Sequence, residues 1–178
     1  LFQGNGGSHP AGRYVVRYDG KGALAYSGAG RKLDAESTPG RDVLEVTNKP
    51  GDGLTVRITR IDERDPLRNV RVIGPGGVCA GAPFAWVPDA SACGGKAPFR
   101  SLESLAGTQT FHPAFLGDLH GFRAIRFMKW SAANTSPLAH WAQRPKTTDP
   151  LWTGQAGVPF EAMFELAFLL LAPTGADP

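Results

Sequence analysis

Along most of its first half the chain alternates apolar and polar residues, the period of a strand with one face in a core. GLTVRITRI, residues 53–61, is the cleanest case, with Leu54, Val56 and Ile58 set against Thr55, Arg57 and Thr59. RYVVRYDGKGALAY reads as two short strands around DGKG, a turn whose glycines supply positive φ. DVLEVT, residues 42–47, places Val43, Leu44 or Val46 inward according to register, and NKPGDG follows as a turn cluster. LRNVRVIGPGG adds a strand stopped by glycine and proline. Short strands at this regular spacing predict a mainly β fold, an antiparallel, jelly-roll-like sandwich.

Residues 78–110 show neither period, and the sequence predicts a long irregular stretch carrying Phe84, Trp86 and Phe99. Beyond it the period changes. FHPAFLGDLHGF fits a short helix with Pro113 at its first position and Phe115, Leu116 and Leu119 on one face. RAIRFMKW then predicts a strand, and a Pro- and Trp-containing loop follows. PFEAMFELAFLLLA, residues 159–172, is the strongest helix. Proline opens it, Glu161 and Glu165 lie in its first turns, and Phe160, Met163, Phe164, Ala167, Phe168 and Leu171 recur three to four apart. Its later part is apolar nearly all round and calls for cover on more than one side. APTGADP ends it.

Composition sharpens this reading. With 23 Gly, 15 Pro and only 20% charged residues, a turn-rich β protein fits better than a helical bundle. The net charge is +3, but the basic residues stand singly among acids, so no run would neutralise a row of phosphates and no nucleic-acid partner is expected. AFLLLA, residues 167–172, lies in the longest apolar run, which is far too short to span a bilayer, so no membrane partner is expected. The opening LFQG looks like the remnant of a cleaved tag and NGGSHP like a linker; residues 1–11 are set apart on that ground.

Cys79 and Cys93 flank a loop rich in Pro, Gly, Ala and Ser. A metal site needs three or four ligands and no histidine lies near either cysteine, so no metal is expected there. A disulfide is the first reading, and two free thiols are the alternative. A disulfide would place the protein in an oxidising compartment, periplasmic or secreted. There is no GxSxG elbow or CxxC pair, and GPGG at residues 74–77 lacks the Lys-Ser/Thr of a phosphate loop. His112 and His120, beside the short helix, read as structural rather than as ligands.

FHPAFLGDLHGFRAIRFMKWSAANTSPLAHWAQRPKTTDPLW, followed by GVPFEAMFELA and GADP, resembles a segment of secreted bacterial proteins with a glycoside-hydrolase-like (β/α)8 barrel. In those proteins the first barrel strand reads like RFMDW and a motif like GADPWF introduces the second. An N-terminal sandwich similar to RYVVRYDGKG and LRNVRVIGPGG precedes the barrel. The resemblance implies a sandwich domain over residues 12–110 and the first βα element of a barrel over 111–178. It also implies that the chain stops where the second barrel strand would begin. Two departures stand out: Lys129 replaces the family's Asp, and FLLLAPT is inserted before GADP.

Such a protein would associate with polysaccharide or oligosaccharide, need no cofactor, and complete its barrel through a second chain or by self-association. Its catalytic carboxylates would lie at the ends of later strands, so no catalytic residue is named, and Asp118, Glu161 and Glu165 read as surface acids. Trp130, Asn134, His140 and Trp141 follow the first strand and would line the barrel rim. Trp86, in the cysteine loop, is a further sugar-stacking candidate. Two alternatives accompany this reading: a stand-alone carbohydrate-binding or structural sandwich module without catalysis, and one chain of a cleaved or split glycoside hydrolase.

Overall fold

A computed structural model describes residues 9–49, 53–149, 152 and 155–171. The chain forms two compact units, Leu1–Thr108 and Gln109–Pro178. In the first unit, the strands run β1 (Gly12–Asp19), β2 (Gly22–Gly28), β3 (Gly30–Lys32), β4 (Arg41–Val46), β5 (Leu54–Ile61), β6 (Arg68–Ile73), β7 (Gly77–Cys79), β8 (Trp86–Val87) and β9 (Phe99–Ser101). They pair antiparallel in a four-stranded sheet ordered β3-β4-β1-β6, a two-stranded sheet β2-β5 and a three-stranded sheet β8-β7-β9.

The alternation seen in the sequence builds the core. Tyr14 and Val16 of β1 and Leu44 and Val46 of β4 point from the four-stranded sheet towards Leu54 of β5, with Ala29 beside them. Tyr18, Leu24, Tyr26, Val56 and Val72 pack around this cluster. One side chain bonds across the two sheets: the Tyr26 hydroxyl of β2 donates to Asp42 Oδ2 of β4 at 2.6 Å. Lys32 Nζ of β3 lies 2.7 Å from Asp42 Oδ1, so this buried carboxylate is engaged on both oxygens.

The other face of the four-stranded sheet is fixed by register. Arg17 of β1 stands opposite both Arg41 of β4 and Arg71 of β6, a row of three guanidinium groups. Helix α1 (Leu102–Leu105) is strapped onto this row. Glu103 accepts from Arg41, and Arg71 Nη1 donates to Ala106 O at 2.6 Å.

Two expectations for this unit change. Ile58 was expected to point inward with Leu54 and Val56, but it is 50% exposed because the far end of β5 runs past the core cluster. Residues 78–110 are also less irregular than expected. They hold β7, β8, β9, α1 and a 3-10 turn, Ala90–Cys93, fastened by the Cys79–Cys93 disulfide, which the structure forms. Strands of two or three residues are too short for their period to show in sequence.

The second unit holds α2 (Pro113–Leu119) and α3 (Phe160–Leu171), close to the bounds the sequence suggested. Pro113 takes the first helical position, and His112 Nδ1 accepts from the Ala114 N–H at 3.2 Å. The strand expected over RAIRFMKW is not formed. Residues 122–127 make no ladder, and the chain turns from Phe127 onward, with Ser131 N–H to Phe127 O at 2.9 Å and Ala133 N–H to Met128 O at 3.2 Å. No other strand lies in this unit among the described residues. A lone strand leaves its backbone groups without ladder partners, and local turns supply them instead.

Helix α3 is apolar on two sides but covered on only one. Ala162, Met163 and Leu166 are buried, whereas Phe164, Phe168 and Leu171 on the opposite face are 72%, 73% and 74% exposed. The stop APTGADP, residues 172–178, falls outside the described residues.

Candidate functional site

In the second unit, the segment before α3 closes into a compact turn. Gln143 Oε1 accepts from the Ala139 and His140 N–H groups at 3.1 and 3.0 Å, and Gln143 N–H returns a bond to His140 O at 3.0 Å. This turn presents Trp141, which is 66% exposed, an unusual state for so large an apolar ring. The ring is nevertheless held in place. Phe160, the first residue of α3, lies 5.9 Å away between ring centres at an interplanar angle of 7°. The Arg144 guanidinium sits 4.3 Å from the Trp141 ring centre, within cation–π range.

Arg144 is itself anchored. Its Nη2 lies 3.2 Å from Glu161 Oε1, in the first turn of α3. The Glu161 carboxyl is held below the ordinary carboxylate range, first by its own backbone N–H at the helix start and then by Arg144. Indole, phenyl, guanidinium and carboxylate thus form a chain that holds the Trp141 ring in place while most of its surface stays exposed. Such a surface can stack on the apolar C–H face of a ring-shaped ligand while neighbouring polar groups bond its hydroxyls.

The other expected site residues are dispersed. His140 is exposed beside Trp141, and the two share the turn. Asn134 is exposed in the turn that follows Trp130. Trp130 belongs to a separate aromatic knot, 6.2 Å from Phe111, 6.4 Å from Phe115 and 5.5 Å from Phe127 between ring centres. Its backbone is fixed as well, since Val158 N–H donates to Trp130 O at 2.7 Å. Trp86 lies in the first unit, half-buried, with its indole N–H donating to Pro75 O at 3.1 Å.

The supports of Trp141 were not legible as site residues. Phe160 reads as helix core and Arg144 as one charge in a Pro-rich loop, because their meeting depends on how the turn docks against α3. Among the acids, Glu161 is engaged by Arg144 and Glu165 Oε2 accepts from Thr110 Oγ1 at 2.8 Å. Among the described residues, no group of three or more His, Cys, Asp or Glu side chains is placed to hold a metal ion. Nor is any helix there long and apolar enough to cross a membrane. No family model, curated protein or solved structure matches the chain.

Proposed function

We propose that this chain is the N-terminal portion of a secreted bacterial carbohydrate-active protein of glycoside-hydrolase-like type, and that it associates with polysaccharide. The first unit serves as an accessory β-sandwich. The second carries the opening βα element of a barrel, with the segment around Ile125 becoming a strand when neighbouring strands are supplied. The observation that carries the glycan reading is Trp141, exposed over two thirds of its surface yet oriented by Phe160 and Arg144. The exposed stripe of α3 supports the barrel reading, since a helix of the outer barrel layer is covered on one side by the sheet and on others by adjacent helices. The disulfide supports export to an oxidising compartment.

The test is retention on insoluble cellulose, chitin and xylan. The chain is expected to be retained on at least one of them, and Trp141→Ala to be released while Trp86→Ala is not. Equal retention of the Trp141 variant, or no retention on any of the three, overturns the reading.

A stand-alone binding or structural module is the second reading, favoured by the first unit's own closed core around Val16, Leu44 and Leu54. In a split or cleaved enzyme, a second polypeptide would cover the α3 stripe.

A further inference from the structure

Three turns of the first unit meet around an open cleft of about 470 Å³, within the roughly 300–1,000 Å³ of small-molecule sites. Tyr18, Lys21, Pro39, Arg60, Ile61 and Asp62 contribute to its lining. Backbone bonds hold these turns together. Lys21 N–H donates to Asp65 O at 2.7 Å, Asp62 N–H to Lys21 O at 3.0 Å, and Tyr18 N–H to Gly40 O at 3.0 Å. Gly20, at φ +81°, has no room for a side chain, because a Cβ would lie 2.1 Å from Pro66 O. The cleft is therefore pre-formed and does not depend on a mobile loop.

Its charges are unevenly satisfied. Asp19 accepts from Asn69 Nδ2 at 2.6 Å, and Asp65 pairs with Arg68 at 2.6 Å. Asp62 Oδ1 accepts from the Arg64 and Asp65 N–H groups at 2.9 and 3.2 Å. Among the described residues, Lys21 and Arg60 make no ion pair and no side-chain hydrogen bond. Two cations that make no ion pair, against the single carboxylate of Asp62, thus line a cleft that also offers the ring of Tyr18 and the apolar surfaces of Pro39 and Ile61.

We propose that this cleft binds a carboxylate-bearing saccharide, a uronate oligomer, with Lys21 and Arg60 holding the carboxylates and Tyr18 meeting a sugar face. Two cations are too few for a nucleic-acid track, and the apolar walls would be idle against a bare inorganic anion. The proposal rests on reading the chain as a carbohydrate binder and names an acidic class of ligand for a second surface, separate from Trp141.

The full chain is titrated calorimetrically with trigalacturonate, with its fully methyl-esterified counterpart and with inorganic phosphate, and the bound amides are mapped by NMR. The acid is expected to bind about tenfold or more tighter than the ester, the scale of one charge-assisted hydrogen bond. Added salt should weaken it, and shifts should centre on Lys21 and Arg60. The double variant Lys21→Ala/Arg60→Ala, both exposed positions, should lose that preference with an unchanged circular dichroism spectrum. Trp141→Ala should keep it. Equal affinity for acid and ester, undiminished binding by the double variant, phosphate binding as tightly as the uronate, or no binding overturns the proposal. Failure of Trp141-dependent retention with uronate binding intact removes only the earlier site.

Discussion

Arg41 and Glu103, 62 positions apart in sequence, meet in a two-pronged ion pair, with Nε to Oε1 at 2.7 Å and Nη2 to Oε2 at 2.9 Å. The pair fastens α1 to a sheet face on which Arg41, Arg17 and Arg71 stand in one cross-strand row. Like charges directly opposite are unfavourable in a sheet, so Glu103 relieves repulsion as well as tethering the helix. The hydrogen bond with Arg41 holds its carboxyl below the ordinary range. A depressed carboxyl stabilises the fold fully above its unfolded pKa, near 4.3, and ceases to do so as pH falls through the folded value. Glu103→Gln should therefore lower the unfolding free energy at pH 7 by about 1 kcal/mol, with the gap from the parent protein closing as both are brought below pH 4. Urea melts at a series of pH values measure this, and a constant gap would contradict it.

Asp42 carries the hydrogen bond that joins the two core sheets. Replacing it with Ala leaves the Tyr26 hydroxyl and the Lys32 ammonium without their partner, and should cost about 3 kcal/mol. Tyr26 is pushed well above the ordinary tyrosine range by burial and then by Asp42. Burial, the largest single influence, lowers the Lys32 pKa, but its hydrogen bond to Asp42 and the nearby negative charges together raise it overall. Raised pKa values stabilise fully below the unfolded values, near 10, and the contribution is lost as pH rises through the folded ones. The first unit of the parent protein should lose stability above about pH 10, and Asp42→Ala should show a shallower alkaline slope in thermal melts.

Gly157 sits at φ +82°, where a Cβ would lie 2.2 Å from Trp130 O. Gly157→Ala combines a disfavoured backbone conformation with a backbone clash and should cost about 2 kcal/mol or more. The damage should appear in the second unit, as altered near-ultraviolet signal from Trp130 with the melt of the first unit unchanged.

Reducing the Cys79–Cys93 bridge releases a 14-residue separation and should destabilise the β7-β8-β9 sheet by about 3 kcal/mol. Hydrogen exchange at Val78 and Arg100, which pair in β7-β9, reports it. Unchanged protection there would contradict the disulfide's structural role.

The mainly β, antiparallel character of the first unit was legible because its information is local. Val16, Leu44 and Leu54 each sit in a run whose period announces a buried face, and DGKG is a turn whichever strands it joins. Helix α3 was legible for the same reason. Its buried side was not, since a segment apolar in nearly every direction does not say which face its own chain will cover. The segment around Ile125 has a strand's sequence but no neighbour to pair with among the described residues, and sequence period records only the former. The Trp141 platform and the Lys21–Arg60 cleft depend on turns that meet in space, and no spacing along the chain announces them.

The central claim is that α3 was shaped to be covered on two sides and that its second cover is not supplied by its own unit. Light scattering coupled to size exclusion, on the parent chain and on Phe164→Glu/Phe168→Glu, tests it most directly when thermal stability is recorded on the same samples. The account predicts concentration-dependent self-association of the parent chain, abolished by the double substitution with the melting temperature unchanged. A strictly monomeric parent chain, or a double variant that unfolds, would show that this face needs no partner or is already packed, and would contradict the account.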